Sequence, residues 1–203
     1  KDAPVDRYVA PERVREARTL SDEADKLMHA GRFEEAVSLY DKDLLLNPGD
    51  MAAWVRKGAV LGQLERYEDS IICFDNALEL DPECVTAWSN KGASPDSLGH
   101  YQEAIHCLDR ALELDVTYID AWVNNGMALR SMEDFEQATA CFDRSPALAP
   151  ERVGALASKG SCLYRLGRFQ EAVSRLNVTA HNCCISMTPA GSSATTHLGM
   201  KGI

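Results

Sequence analysis

The histidines and cysteines are the side chains most able to do chemistry, and their spacing does not suit catalysis. His29, His100 and His106 have no acidic or nucleophilic partner at a recognisable spacing, so we interpret them as surface helix and turn positions. A glycine-rich phosphate loop is also absent from the sequence. We therefore predict that the chain is not an enzyme and requires no cofactor.

A zinc site is the one metal centre that the residue types formally allow. The C-terminal segment carries two cysteines and two histidines, the side chains that bind structural zinc: His181, Cys183, Cys184 and His197. Adjacent cysteines are poorly placed to share one tetrahedral ion, and the flanking residues are mainly Ser, Thr and Gly. We predict no metal site.

Three further cysteines follow a regular spacing that argues against disulfide bonds. Cys73, Cys107 and Cys141 are separated by intervals of 34 residues, so they hold the same position in successive repeats. Equivalent positions in stacked helices are about 10 Å apart, beyond the ~7 Å limit on Cα separation for a disulfide. We predict buried free thiols in a reducing compartment, which we expect to be the cytoplasm.

The same interval of 34 residues organises most of the chain. A tryptophan recurs at Trp54, Trp88 and Trp122, each followed four residues later by a glycine. A fixed period of this size predicts an all-α solenoid, an α-α superhelix of about five helix-turn-helix repeats, because one repeat cannot bury its own apolar face. We divide the chain into a lead-in over 1–16 that can extend the first helix, repeats over 17–50, 51–84, 85–118 and 119–152, an incomplete repeat over 153–176, and an irregular tail over 177–203.

Each repeat is predicted to be a pair of amphipathic helices. In the second repeat, apolar residues at intervals of three and four indicate helices from about Ala52 to Leu64 and from about Glu68 to Leu80. Glycines recur inside the first helix, which costs about 1 kcal/mol each relative to alanine and implies that another helix approaches closely. The glycines are Gly58, Gly92, Gly126 and Gly160, and we expect their small partners to be Ala36, Ala104, Ala138 and Ala172.

The order of Trp, Gly, small residue, aromatic, Ala and Pro resembles the tetratricopeptide repeat (TPR), as in the stretch from Ala87 to Asp115. The resemblance covers residues 17 to about 176 and implies a superhelix whose concave groove is lined by the first helix of each pair. It also implies that the chain is a scaffold or adaptor that binds a peptide or partner helix in this groove. The groove residues that the resemblance favours most are Arg56, Asn90, Asn124, Met127, Arg130 and Arg165.

Asn90 and Asn124 stand two residues after a tryptophan, where related arrays carry an asparagine that holds the ligand backbone. An amide both donates and accepts hydrogen bonds, so it can bind a main chain whatever its side chains are. The alternative is that both are solvated helix residues. The cationic clamp with which other TPR domains hold acidic chaperone C-termini is not matched, because the required positions hold Val55, Ala59 and Asp120.

Charge and hydropathy limit the partners further. The formal net charge of −10 is not typical of a nucleic-acid-binding protein and favours neutral or basic protein partners. The sequence has no apolar run long enough for a membrane span, so we expect no membrane partner.

Two Ser-Pro pairs break the repeat pattern. Pro95 lies inside a predicted first helix and should kink it, whereas Pro146 lies near the end of a second helix and should shorten it. A frameshift in the coding sequence would explain both pairs and the loss of the repeat after Leu176, and a genuine flexible tail is the alternative. The incomplete last repeat leaves an apolar edge around Phe169 and Val173, which favours self-association.

The alternatives to a scaffold concern what adjoins the repeats. We expect the chain to be part of a longer protein, and the repeats could then be the regulatory or substrate-presenting arm of an enzyme such as a glycosyltransferase. A structural fragment with no partner of its own is a third interpretation. The sequence does not name the ligand, because one scaffold can carry many binding sites.

Overall fold

The computed structural model describes residues 10–94, 100–144 and 153–174, and these residues form helices and turns with no strand. The chain divides into two compact units, Lys1–Pro146 (unit 1) and Ala147–Ile203 (unit 2). The prediction of an all-α fold is therefore confirmed for the described residues. The predicted kink at Pro95, the predicted shortening before Pro146 and the tail over 177–203 lie outside them.

The described part of unit 1 contains helices that alternate in the predicted manner between first and second members of a pair. Their bounds are α1 (Pro11–His29), α2 (Phe33–Leu46), α3 (Met51–Gln63), α4 (Tyr67–Leu80), α5 (Val85–Ala93), α6 (Tyr101–Leu114), α7 (Ile119–Ser131) and α8 (Phe135–Arg144). The first helices are α1, α3, α5 and α7. Each packs on the second helix that follows it, and each pair packs on the next through α2 and α3, α4 and α5, or α6 and α7. This nearest-neighbour packing is that of a solenoid.

The recurrent tryptophans fasten the loops between repeats. The indole N–H of Trp54 donates to the Pro48 carbonyl oxygen at 3.0 Å, and that of Trp88 donates to Pro82 at 2.9 Å. Trp122 makes the same bond to Val116 at 2.8 Å. A half-buried indole needs a partner for its N–H, so the loop carbonyl and the ring fix each other's position.

The recurrent glycines permit close helix packing, as predicted, but the groups that face them are larger than expected. A Cβ atom on Gly58 would lie 2.7 Å from the Phe74 ring, and one on Gly126 would lie 2.7 Å from the Phe142 ring. At Gly92 the nearest atoms are Leu108 Cγ at 2.6 Å and the Ala104 carbonyl oxygen at 2.9 Å. The alanines are buried, but the glycines mainly make room for an aromatic ring or Leu side chain of the second helix.

The turns inside the pairs share one backbone conformation. Gly31 in the first repeat has φ 74°, and Glu65 and Glu133 take the same left-handed conformation with φ 59° and 63°. The next backbone N–H then bonds back across the helix end, for example from Arg66 N to the Leu61 oxygen at 2.9 Å. This bond closes the first helix and reverses the chain into the second.

Polar side chains join successive repeats at a fixed separation of 16 residues. Asp41 pairs with Lys57 at 2.6 Å, and Asp75 pairs with Lys91. At the next boundary Asn125 replaces lysine, and its amide Nδ2 donates to Asp109 at 2.8 Å. Because one partner lies on a second helix and the other on the following first helix, these contacts link one repeat to the next.

The cysteines of the repeats are buried and free, as predicted. Cys73, Cys107 and Cys141 lie in the packed interior of unit 1 and form no disulfide. Burial raises the pKa of the Cys73 and Cys141 thiols to about 11. They are therefore protonated at neutral pH and weakly nucleophilic.

Unit 2 contains α9 (Val153–Arg165) and a short helix over 169–174 among its described residues. Leu163 and Ala172 are buried, whereas Tyr164, Phe169 and Val173 are 63%, 56% and 57% exposed. The rings of Tyr164 and Phe169 meet edge to face with centroids 5.3 Å apart. None of the described helices in either unit has the length and apolar character needed to cross a membrane.

Candidate functional site

The first helices of unit 1 form a continuous surface, which we call the inner face. Helix α5 contacts both α3 and α7, whereas no comparable contact joins second helices of neighbouring repeats in the described residues. Side chains of α1 and α3 meet through Arg56 and Asp25. The repeats are thus closer together along their first helices, so this face is the concave one.

A small open depression lies on the inner face between α5 and α7. It is lined by Gly92 and Ala93 from the end of α5 and by Asn124, Met127 and Ala128 from α7, and its volume is about 50 Å³. Two of the residues favoured by the family resemblance, Asn124 and Met127, therefore line the same depression. Its walls carry no charged side chain, and Met127 is 37% exposed at its rim.

Asn90 and Asn124 hold equivalent positions on adjacent first helices, α5 and α7. Both are half-buried, and neither side-chain amide has a hydrogen-bond partner among the described residues. The backbone oxygen of Asn90 accepts from the Ser94 hydroxyl at 2.9 Å, but this bond leaves the amide unused. Two unpaired amides thus face a surface that a ligand can reach.

Arg56 lies at the other end of the inner face in a cluster of polar side chains. Its guanidinium is 3.6 Å from Asp25 Oδ2 and 3.5 Å from the Ser21 hydroxyl, and its side chain is 43% exposed. The Tyr40 hydroxyl donates to Asp25 Oδ1. Burial and the Asp25 carboxylate both raise the pKa of Tyr40, so it remains a hydrogen-bond donor.

Sequence reasoning did not identify Asp43, which lies beneath this cluster. Asp43 is fully buried on α2, and burial raises the pKa of its carboxyl above the usual range. A signal for it exists in the repeat alignment, because the equivalent residues of the next two repeats are Ala77 and Ala111, both fully buried. An acidic residue at a position that is otherwise alanine points to a buried polar group.

The two remaining site predictions fall in different places. Arg130 is half-buried on α7, one turn after Met127 and on the same helix as Asn124. Arg165 is exposed at the end of α9, which belongs to unit 2. The structure thus brings Asn90, Asn124, Met127 and Arg130 onto α5 and α7, places Arg56 on α3 of the same face, and leaves Arg165 in the separate unit.

A metal site does not occur in the described residues, where no group of three His, Cys, Asp or Glu side chains could hold an ion. The four tail residues considered for zinc lie outside this part of the chain. Each remaining feature of the site is a hydrogen-bonding amide, a guanidinium or an apolar contact, which are the groups that recognise peptides.

Repeated helix pairs, a tryptophan and a glycine in each central first helix, and a concave inner face together define an α-solenoid of the tetratricopeptide class. Family models of the tetratricopeptide repeat match residues 52–84, 85–116 and 123–178. The chain belongs to the tetratricopeptide repeat family, and this membership supports a role as a protein-interaction scaffold.

Solved structures share the fold at low sequence identity. Residues 41 to the end of MamA from Desulfovibrio magneticus RS-1 are 18% identical, with a TM-score of 0.74, over 89% of this chain and 100% of that chain. Pseudomonas aeruginosa pilF gives 19% and 0.75 over 84% and 78% of the two chains. YrrB, described as a TPR protein with an unusual peptide-binding site, gives 23% and 0.61 over 80% and 84%. No curated protein matches the chain significantly.

Proposed function

We propose that the inner face of unit 1 binds an extended peptide or a partner helix, and that Asn90 and Asn124 bond its main chain. The observation that carries this proposal is the pair of unpartnered amides at equivalent positions on contacting helices. Packed helices are about 8–10 Å apart, which is close to the length of three residues of extended chain at ~3.3 Å each. Two amides with this separation can therefore address every third residue of an extended ligand.

The surroundings of the amides support an apolar anchor in the ligand. The depression beside Asn124 is uncharged, and a charged ligand group placed there would lose hydration without gaining a partner. An aliphatic side chain would instead contact Met127 and Ala93. In this proposal Arg56 and Arg130 contact ligand groups on either side of the anchor.

The test uses peptides selected from a displayed library against the immobilised wild-type protein, with affinity measured by calorimetry. The variant Asn90→Ala/Asn124→Ala loses two hydrogen-bonding side chains, each contributing about 0.5–1.5 kcal/mol, so binding should weaken about 5- to 150-fold. Asn76→Ala/Gln102→Ala, which removes two amides from the second helices α4 and α6, is the matched control and should bind like wild type. Equal affinity of the Asn90/Asn124 variant and wild type, with both folded by circular dichroism, would contradict the proposal.

We also propose that the apolar edge of unit 2, formed by Tyr164, Phe169 and Val173, mediates self-association. More than half of each side chain is exposed, and three large apolar groups lie on a short stretch of two helices. Contiguous apolar surface of this kind is typical of a protein contact rather than of free surface.

A further inference from the structure

Asp43 is costly to the fold, and its cost is confined to one repeat. Its side chain is fully buried, and neither carboxylate oxygen accepts a hydrogen bond within the described part of the chain. Burying an ionised carboxylate without a partner is strongly unfavourable, which is why such groups become neutral or acquire a counter-charge. Ala77 and Ala111 show that the same position in the next repeats is filled by a methyl group.

The groups that face Asp43 come from all three helices around it. Helix α1 contributes Ser21 and Asp25, α2 contributes Tyr40, and α3 with its N-cap contributes Arg56 and Asp50. Burial raises the pKa of Asp43 and outweighs Ser21 and Arg56, which lower it, while Asp50 raises it further. Asp50 is engaged elsewhere, because it accepts from the Ala53 N–H at the start of α3. Arg56 is the one cation in this set.

Arg56 is held loosely in its position on the inner face. A guanidinium has five N–H donors, yet the described contacts of Arg56 are one ion pair at 3.6 Å and one bond at 3.5 Å, both near the limit for such contacts. The Ser21 hydroxyl that it reaches is also the group nearest in kind to a partner for Asp43. A small movement past Ser21 would therefore exchange one carboxylate for the other.

We propose that Asp43 is a proton-controlled counter-charge for Arg56, which draws the guanidinium from Asp25 on the inner face toward the interior when Asp43 ionises. With Asp43 protonated, Arg56 stays on the surface and can take an acidic group of a ligand. With Asp43 ionised, the guanidinium pairs inward, and the surface near Asp25 becomes more negative. The movement itself is independent of the peptide-binding proposal, and its effect on an acidic ligand rests on that proposal.

The experiment is a pH titration by NMR of the full chain without ligand. The carboxyl carbon of Asp43 reports its ionisation, and the Nε–Hε resonance of Arg56 reports the environment of the guanidinium. We expect both resonances to change with the same midpoint in the wild type, and the Arg56 change to disappear in Asp43→Asn. An Arg56 resonance that does not change at the Asp43 midpoint, or that changes equally in Asp43→Asn, would overturn the proposal.

Two further variants test the direction of the coupling. Arg56→Gln removes the counter-charge and should raise the Asp43 midpoint by about one pH unit or more, the shift expected when an opposite charge within a few ångströms is lost. Asp25→Asn frees Arg56 from its surface partner and should lower the midpoint. Asp22→Asn on the same helix is the matched control and should leave it unchanged. A midpoint that is the same in Arg56→Gln and wild type, or no ionisation of Asp43 below pH 9, would show that Arg56 is not its counter-charge.

Discussion

At the scale of single residues, Asp43 decides how the stability of unit 1 depends on pH. Replacing it with alanine, the residue found at the same position in the next two repeats, should stabilise the fold by about 1–3 kcal/mol near neutral pH, the usual cost of a buried unsatisfied polar group. The folded-state pKa of Asp43 is raised above its unfolded value near 3.9. Below that value both states are protonated and the ionisation cost is absent.

The pH profile follows from this sign. As the pH rises above about 4, the unfolded state ionises while the folded state resists, so wild-type stability falls relative to Asp43→Ala until the folded pKa is passed. Urea denaturation of both proteins between pH 4 and 8 measures the difference, and Asp43→Asn separates the charge from the change in volume. A difference that is constant across this range would show that Asp43 ionises normally in the fold.

Gly58 gives a second test at single residues, because a matched glycine lies on the same helix. Gly58→Ala places a methyl group 2.7 Å from the Phe74 ring, and overpacking of this kind costs about 1–3 kcal/mol. Gly62→Ala meets only the Ser70 hydroxyl oxygen at 3.7 Å, and it should gain up to about 1 kcal/mol of helix propensity. Thermal unfolding should therefore shift in opposite directions, and a gain for both variants would show that the ring moves aside freely.

The contrast between Gly58 and Asp43 shows what single residues reveal in a sequence. Close packing at Gly58 could be predicted, since a costly glycine recurs in successive repeats and only a steric need explains the repetition. Its partner could not, because the sequence does not say whether Ala36-type or Phe74-type residues face it. Asp43 was missed because an acidic residue in an amphipathic helix is usually solvated, and only the alignment with Ala77 and Ala111 indicates otherwise.

At the scale of the element, α5 is shorter than its counterparts α3 and α7. It ends at Ala93 and has 9 residues, whereas α3 and α7 have 13 each. The residues equivalent to Pro95 in those helices are Leu61 and Leu129, both buried. The sequence gives a direct reason, since proline removes a backbone donor and collides with the preceding turn.

Pro95→Leu should lengthen α5 toward the extent of α3. We expect a rise in helical circular dichroism and a gain in stability of up to about 3 kcal/mol, the usual cost of proline inside a helix. Pro82→Ala, in the loop before α5, is the control and should not add helix. An unchanged helical signal in Pro95→Leu would mean that another residue ends α5.

The contacts between repeats were less accessible to prediction than the helices. Helix positions follow from apolar spacing, so the bounds of α3 and α4 could be predicted within a residue or two. The pairs of Asp41 with Lys57 and Asp109 with Asn125 join different helices at a separation that no single-helix period contains. They are visible in the sequence only as a second regularity after the fold is assumed. The groove was predictable to the same degree: the first helices give its face, but not which of its arginines are held by neighbours.

At the scale of the whole molecule, the net charge of −10 opposes contact between copies, while the apolar edge of unit 2 favours it. Phe169→Ser/Val173→Ser should abolish concentration-dependent association in sedimentation velocity without unfolding the chain, because both side chains are largely exposed. Added salt should strengthen association of the wild type by screening the repulsion between acidic copies.

The control for this prediction lies in unit 1. Leu45→Ser/Ile72→Ser removes two apolar side chains that are 74% and 57% exposed, a loss of exposed apolar surface similar to that of the Phe169/Val173 pair. If both double variants reduced association equally, the edge of unit 2 would have no special role. A wild-type chain that sediments as a monomer at all concentrations would exclude self-association altogether.

The tryptophans that fasten the loops of the second, third and fourth repeats also make the array its own optical probe. Each indole is bonded to the loop that joins its repeat to the one before, and Lys57 and Lys91 lie 5.4 and 5.9 Å from the ring centres of Trp54 and Trp88. Fraying at one boundary would hydrate one indole and shift its emission to the red, while the other two keep their colour. In chains that retain a single tryptophan, the three denaturation curves would then record the order in which neighbouring repeats separate, and so measure the coupling energy at each boundary.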